Sequence, residues 1–275
     1  MKTILVLCDF SDTSFVAAKY AVSLAHQLGT SRLILYHSYE FIPGATDIPV
    51  SELINFNEES TKSLNTLKNN LEPFADEKII IETSTDERSL LEAVLSIVHQ
   101  EHAELVIMGI SGKSQLQQIL VGGNTVMIAK ECPVPLLIVP KEAKFENIRR
   151  VLFACDLKEV STSTPVNTLK TFIHTLSAKL IIINVEHNNQ YSAADALTQQ
   201  AALHQLWDSE GAEYHYIDHE DTAKGIMEFA DKNDIQLVVT IPKKYGFFEN
   251  LFHRSMTQKL AFHTHIPLLL LAEST

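Results

Sequence analysis

The residues best suited to chemistry lie between Met108 and Thr125. They read Met108-Gly109-Ile110-Ser111-Gly112-Lys113-Ser114, and then, after a gap, Val121-Gly122-Gly123-Asn124-Thr125. Two residues separate Gly109 from Gly112, and nine separate Gly112 from Gly122. Apolar runs flank the segment, Leu105 to Met108 before it and Val134 to Val139 beyond it. A strand that ends in glycine and opens into a polar loop and a helix start is an arrangement that holds phosphate. Glycine lets the backbone approach closely, and the amides at a helix N-terminus attract an anion. A plain glycine-rich turn has a similar composition. Two familiar motifs fail. Gly112-Lys113-Ser114 resembles the end of a Walker A loop, but Ile107 stands where that loop needs its first glycine. A dinucleotide fingerprint follows a first strand, and this segment follows the fourth.

The elements that must position this segment belong to a chain of 275 residues, long for one domain and comfortable for two. A net charge of −12 argues against nonspecific nucleic-acid binding and against adhesion to anionic membranes. It leaves a small anionic ligand open, because local donors decide that. The opening Met1 to Asp9 reaches a carboxylate too early for a signal peptide, and no apolar run reaches the ~18 residues of a membrane helix. Three cysteines, an odd number, with no secretory features, point to a reduced, cytoplasmic protein.

Thr3 to Cys8 is a mostly apolar run closed by Asp9, as expected of a strand buried on both faces. Ser11 or Asp12 can cap the helix that follows, and Gly29 can end it. Strands are predicted over 33–37, 78–82, 105–108 and from Pro135. Helices are predicted over 51–74, 87–102 and 125–130. Tyr39 to Val50 is a long loop, read either as a lid or as an ordinary surface excursion. Lys141 to Asn147 is polar and reads as a linker.

After it the order restarts. Val151 to Leu157 echoes Ile4 to Phe10, and Cys155-Asp156 repeats Cys8-Asp9 at an offset of 147. Leu105-Val106 maps to Leu237-Val238 and Pro135-Leu136 to Pro267-Leu268, both at 132. The chain therefore holds an internal duplication, each copy βαβαβαβαβ. Such alternation implies parallel α/β sheets with right-handed crossovers and helices on both faces. Ligands of such sheets bind beyond the carboxyl ends of the strands, near the switch in strand order. Asp9, Ser38 and Gly109 lie at such ends.

These residues resemble the universal stress protein family. The resemblance covers nearly the first 140 residues and rests on Ile4 to Ser11, on the pattern G-x2-G-x9-G at Gly109, Gly112 and Gly122, on Asn124-Thr125-Val126, and on Pro133 to Pro140. It implies two tandem Rossmann-like domains of the adenine nucleotide alpha hydrolase type. Each would have a five-stranded, parallel-type sheet, with domains over 1–141 and 148–275. It also implies that the last strands, Pro135 to Pro140 and Pro267 to Leu271, pair within one chain as a pseudo-dimer, and that a homodimer of chains is an available assembly. The ligand implied is ATP or AMP, with Mg²⁺ accompanying a triphosphate. By the same resemblance, Asp9 and Phe10 lie by the nucleoside and the backbone at about Ser38 contacts adenine. Met108, Gly109, Ser111, Gly112, Lys113, Gly122, Gly123, Asn124 and Thr125 surround ribose and phosphates. Gly123 departs from the family, which carries Ser or Thr there; the lost hydroxyl is worth roughly 0.5–1.5 kcal/mol as a net hydrogen bond. Asn124 or Thr125 can replace it. Valine at Gly109 or Gly112 is expected to abolish nucleotide binding without unfolding the protein.

The second half departs further. At the offset of 132, Gly109 becomes Ile241, Gly112 becomes Lys244 and Gly122 becomes Arg254; Ser255 faces Gly123. No ordinary nucleotide site is expected there, and Lys243, Lys244, His253 and Arg254 read as solvated loop charges before an anion patch. Cys8 and Cys155 read as small buried hydrophobes, and Cys132, at a turn, as a thiol of low reactivity. None of the histidines (His99, His102, His215, His219, His263, His265) has metal-ligand spacing. Trp207 reads as helix packing. No nucleophile, base or metal set for catalysis stands out. The sequence thus points to a nucleotide-responsive regulator in a stress response rather than an enzyme. A scaffold without nucleotide, acting through protein partners, is the alternative. An ATP-using transferase or ligase lacks a supporting signature.

Overall fold

Thr3–Leu7 forms β1, and all five residues are buried, as a strand covered on both faces requires. The computed structural model describes residues 1–39, 50–110, 123–186, 193–241 and 265–272. The chain divides into two compact units, with the break between Phe145 and Glu146.

In the first unit β1 leads to α1 (Asp12–Leu28), β2 (Arg32–Ser38), α2 (Val50–Leu71), β3 (Ile80–Asp86), α3 (Leu90–Gln100), β4 (Leu105–Ile110), α4 (Gly123–Glu131) and β5 (Leu136–Pro140). The strands run parallel in the order β3-β2-β1-β4-β5. Ser11 caps α1 by accepting the Ser14 amide, and Gly29, at φ +65°, ends it in the left-handed conformation. The crossovers out to β3 and back to β4 run in opposite directions. Right-handedness therefore sets α1 and α2 on one face and α3 and α4 on the other. The helices of each pair touch.

The second unit repeats the plan with β6 (Arg150–Ala154), α5 (Val160–Ser163), α6 (Val166–Leu176), β7 (Lys179–Glu186), α7 (Ala193–Trp207), β8 (Glu213–Asp218), α8 (Thr222–Lys232), β9 (Leu237–Thr240) and β10 (Leu268–Leu270). Its strand order is β8-β7-β6-β9-β10. The registers coincide as well. Leu5 pairs with Val106 in the first unit and Leu152 with Val238 in the second, at the offsets read from the sequence.

One strand differs from expectation. The third strand is not 78–82 but Ile80–Asp86. Among the described residues it pairs on one side only, and its partly exposed Thr, Ser and Asp residues carry no apolar signal at its far end. The first helix of the second unit is broken. A four-residue α5 precedes Thr164-Pro165, and α6 begins only after that proline, which cannot sit inside a helix.

Candidate functional site

The strand order of the first unit reverses between β1 and β4, which lie side by side with Leu7 opposite Met108. The chain leaves β1 at Cys8 and turns sharply. Asp9 Oδ1 accepts the Ser11 amide at 3.0 Å and the Ser11 hydroxyl at 2.5 Å, and Phe10 adopts φ +60° between them. Burial disfavours charge on the Asp9 carboxyl. The donors from Ser11, aided by Ser14, outweigh it and hold the carboxyl below its ordinary range. Asp9 is thus a carboxylate at neutral pH, an acceptor for hydroxyl or N–H donors. Phe10 is 41% exposed, and its ring lies against His37 at 4.3 Å between centroids.

Gly109, in β4, has a packing role that the sequence reading did not foresee. A β-carbon there would lie 2.5 Å from the Thr13 carbonyl oxygen and 2.7 Å from the Thr13 carbonyl carbon. Glycine is needed because the first turn of α1 presses onto the end of β4. This corrects the expectation for valine at Gly109. The branched side chain would collide with helix backbone, so lost binding could not be separated from lost packing. In the second unit the same position is Ile241, a buried side chain, and there the first helix is interrupted.

Ser38 ends β2. Its hydroxyl donates to the Arg88 carbonyl at 2.6 Å, which leaves its backbone as the group nearest a ligand role. Sequence reasoning missed the network beside it. The buried Tyr36 hydroxyl donates to Asp86 at 2.9 Å, and Asp86 also accepts the Arg88 amide and guanidinium. Burial opposes the Asp86 charge, yet Arg88 and Tyr36 hold its carboxyl below the usual range. The signal was present as Asp86-x-Arg88 at a strand end, but a short polar run reads as loop.

Met108 is half-buried in β4, paired with Leu7 and Ile138. Gly123 and Asn124 open α4, where the first amides have no acceptor within the helix, and Thr125 is buried in that first turn. The structure therefore brings Asp9, Phe10, Met108, Gly109 and Ser38 to adjacent strand ends. Ser111, Gly112, Lys113 and Gly122 lie outside the described residues, as do most of the 39–50 loop and the Lys243, Lys244, His253, Arg254 and Ser255 group.

All three cysteines are buried. Burial pushes the Cys8 thiol up to about 12 and raises Cys132 as well. Among the described residues no three His, Cys, Asp or Glu side chains gather as a metal site, and no helix is long and apolar enough to cross a membrane.

The profile of the universal stress protein family matches residues 1–140, just over half of the chain. The chain belongs to the universal stress protein family. It is 28% identical over 149 residues to a universal stress protein of Methanocaldococcus jannaschii, covering 52% of this chain and 84% of that one. It is 29% identical over 144 residues to one of Thermus aquaticus, covering 50% of this chain and 98% of that one. Each relative is thus about as long as one unit. A solved universal stress protein of Archaeoglobus fulgidus is similar in fold across 99% of this chain and 96% of its own, with a TM-score of 0.72 at 16% identity. Tandem α/β domains are therefore a shared architecture.

Proposed function

We propose that the first unit binds one adenine nucleotide, ATP or AMP, and that the chain acts as a nucleotide-responsive regulator rather than as an enzyme. One observation carries this reading. The ionised Asp9 turn and the glycine segment leave neighbouring strands, in register, at the switch in strand order. The carboxylate suits ribose hydroxyls, which donate, and the backbone after Ser38 suits an adenine edge. Gly123 and Asn124 supply helix-start amides for phosphate oxygens, so a backbone N–H takes over from the hydroxyl that Gly123 lacks. Mg²⁺ would accompany a triphosphate.

On this reading ATP hydrolysis, where it occurs, is slow and incidental. Ile241, Lys244 and Arg254 stand where the first unit has Gly109, Gly112 and Gly122, which supports one nucleotide per chain. The scaffold reading keeps two observations in its favour, the glycine at position 123 and the second half's departure from the glycine pattern.

Calorimetric titration of the full chain with ATP, ADP and AMP, with and without Mg²⁺, tests the proposal. Saturation near one nucleotide per chain, weakened in Asp9→Ala, supports it. An absence of heat with every nucleotide would leave the scaffold reading standing.

A further inference from the structure

Cys8 and Cys155 occupy the same place in the two units, the residue at which the chain turns out of the sheet. In the first unit His37 Nδ1 lies 2.7 Å from the Cys8 carbonyl oxygen. In the second, Asn184 Nδ2 lies 2.9 Å from the Cys155 carbonyl oxygen. The offset is 147 for both partners, and the strand registers agree, Leu7 opposite Tyr36 and Ala154 opposite Ile183. The turns that follow are also alike. Asp9 Oδ1 accepts the Ser11 amide at 3.0 Å, and Asp156 Oδ1 accepts the Lys158 amide at 3.1 Å. The residues between them, Phe10 and Leu157, have φ +60° and +54°.

A carbonyl oxygen only accepts, so the facing nitrogen of His37 carries a proton. In the neutral ring this selects the Nδ1–H tautomer. Histidine and asparagine share a donor at this reach and little else. That the two units use them interchangeably means the position requires a donor, and neither charge nor imidazole chemistry. The carbonyl it holds sits one residue before the aspartate, where the strand stops and ladder partners end.

We infer that His37 is a positioning residue whose Nδ1–H clamps the Cys8 carbonyl and so sets the turn that presents Asp9. Phe10, whose ring packs at a tilt against the His37 ring, is held by the same contact. The consequence for ligand affinity rests on the nucleotide reading of the first unit. The tautomer and the turn do not.

The test compares wild type, His37→Asn and His37→Leu as full chains. Nitrogen-15 spectra of wild type at about pH 8 report which ring nitrogen is protonated. The Ser11 amide resonance reports the turn without any ligand, and ATP titration reports affinity. The expected result is a protonated Nδ1, a Ser11 amide that stays in place in His37→Asn and moves in His37→Leu, and ATP affinity within about twofold of wild type for Asn but about tenfold weaker for Leu, the loss of one net hydrogen bond. A protonated Nε2 instead, or a Ser11 amide equally placed in all three folded proteins, would overturn the clamp. Should no protein bind ATP, the nucleotide reading fails, and the tautomer and the Ser11 amide still decide the clamp.

Discussion

Replacing Gly109 by alanine measures directly how closely the first turn of α1 approaches β4. Two effects oppose each other. In an ordinary strand interior, alanine gains about 0.5–1 kcal/mol over glycine, mostly by restricting the unfolded chain. Here the added β-carbon meets the Thr13 carbonyl oxygen at 2.5 Å, its carbon at 2.7 Å and the Ser14 nitrogen at 3.1 Å. All three are backbone atoms, so no side chain can swing away. Restoring an ordinary 3.4 Å contact requires the first turn of α1 to retreat by about 0.9 Å. Thr13 and Ser14 are buried, and that retreat would loosen their packing. Overpacking of this kind costs about 1–3 kcal/mol, more where backbone must move. The collision therefore wins, with a net loss of about 1–2 kcal/mol, or a fall in Tm of roughly 3–8 °C for a unit of this size. Urea unfolding followed by circular dichroism measures it, with a lower midpoint at an unchanged slope expected. Gly29→Ala is the control. Its φ of +65° is strained for alanine, yet nothing lies within 4 Å, so it costs about 1 kcal/mol by a separate route. A Gly109→Ala protein as stable as wild type would refute the close-approach argument.

Asp9→Asn should lose stability at neutral pH. Because the Asp9 carboxyl titrates below its unfolded value of 3.8, its contribution is complete above that value and disappears as pH falls through the lower folded value. The variant and wild type should converge in acid unfolding curves taken down to about pH 2. The three buried thiols should resist a thiol reagent in the native protein at about pH 8, with Cys8 held protonated up to about 12, and react fully in denaturant; fast native labelling would place a cysteine at the surface. The indole N–H of Trp207 is buried with no acceptor among the described residues. Trp207→Phe should therefore cost only the lost packing against Phe153, about 1–2 kcal/mol, whereas Trp207→Ala should cost about 3–5 kcal/mol in the same unfolding assay.

Much of the fold was legible because the duplicated pattern is read twice. Cys8-Asp9 and Cys155-Asp156 fixed one offset, the last two strands fixed another, and both recur in the strand registers. The far end of β3 was not legible. Its Thr83, Ser84 and Thr85 are acceptable on an edge strand and carry no burial signal. The helix read from Thr164 begins within two residues of that point, after Pro165, whereas the four-residue α5 ahead of it is too short to show a period. At the site, Asp9 and the glycine spacing were visible as residue types. The packing role of Gly109 was not, because it depends on a backbone carbonyl some 96 positions earlier in the chain. His37 escaped for a similar reason. Its counterpart is an asparagine, and only the shared contact with a cysteine carbonyl shows them to be equivalent.

The central claim is that the first unit, and not the second, holds the nucleotide. A titration of the ¹⁵N-labelled chain with ATP, read residue by residue from amide shifts, tests this most directly. The account predicts progressive shifts at Asp9, Phe10, Tyr39, Gly109 and Thr125, while Asp156, Leu157 and Ile241 stay in place. Shifts centred on Asp156 and Ile241, or a spectrum that ATP leaves unchanged, would contradict it.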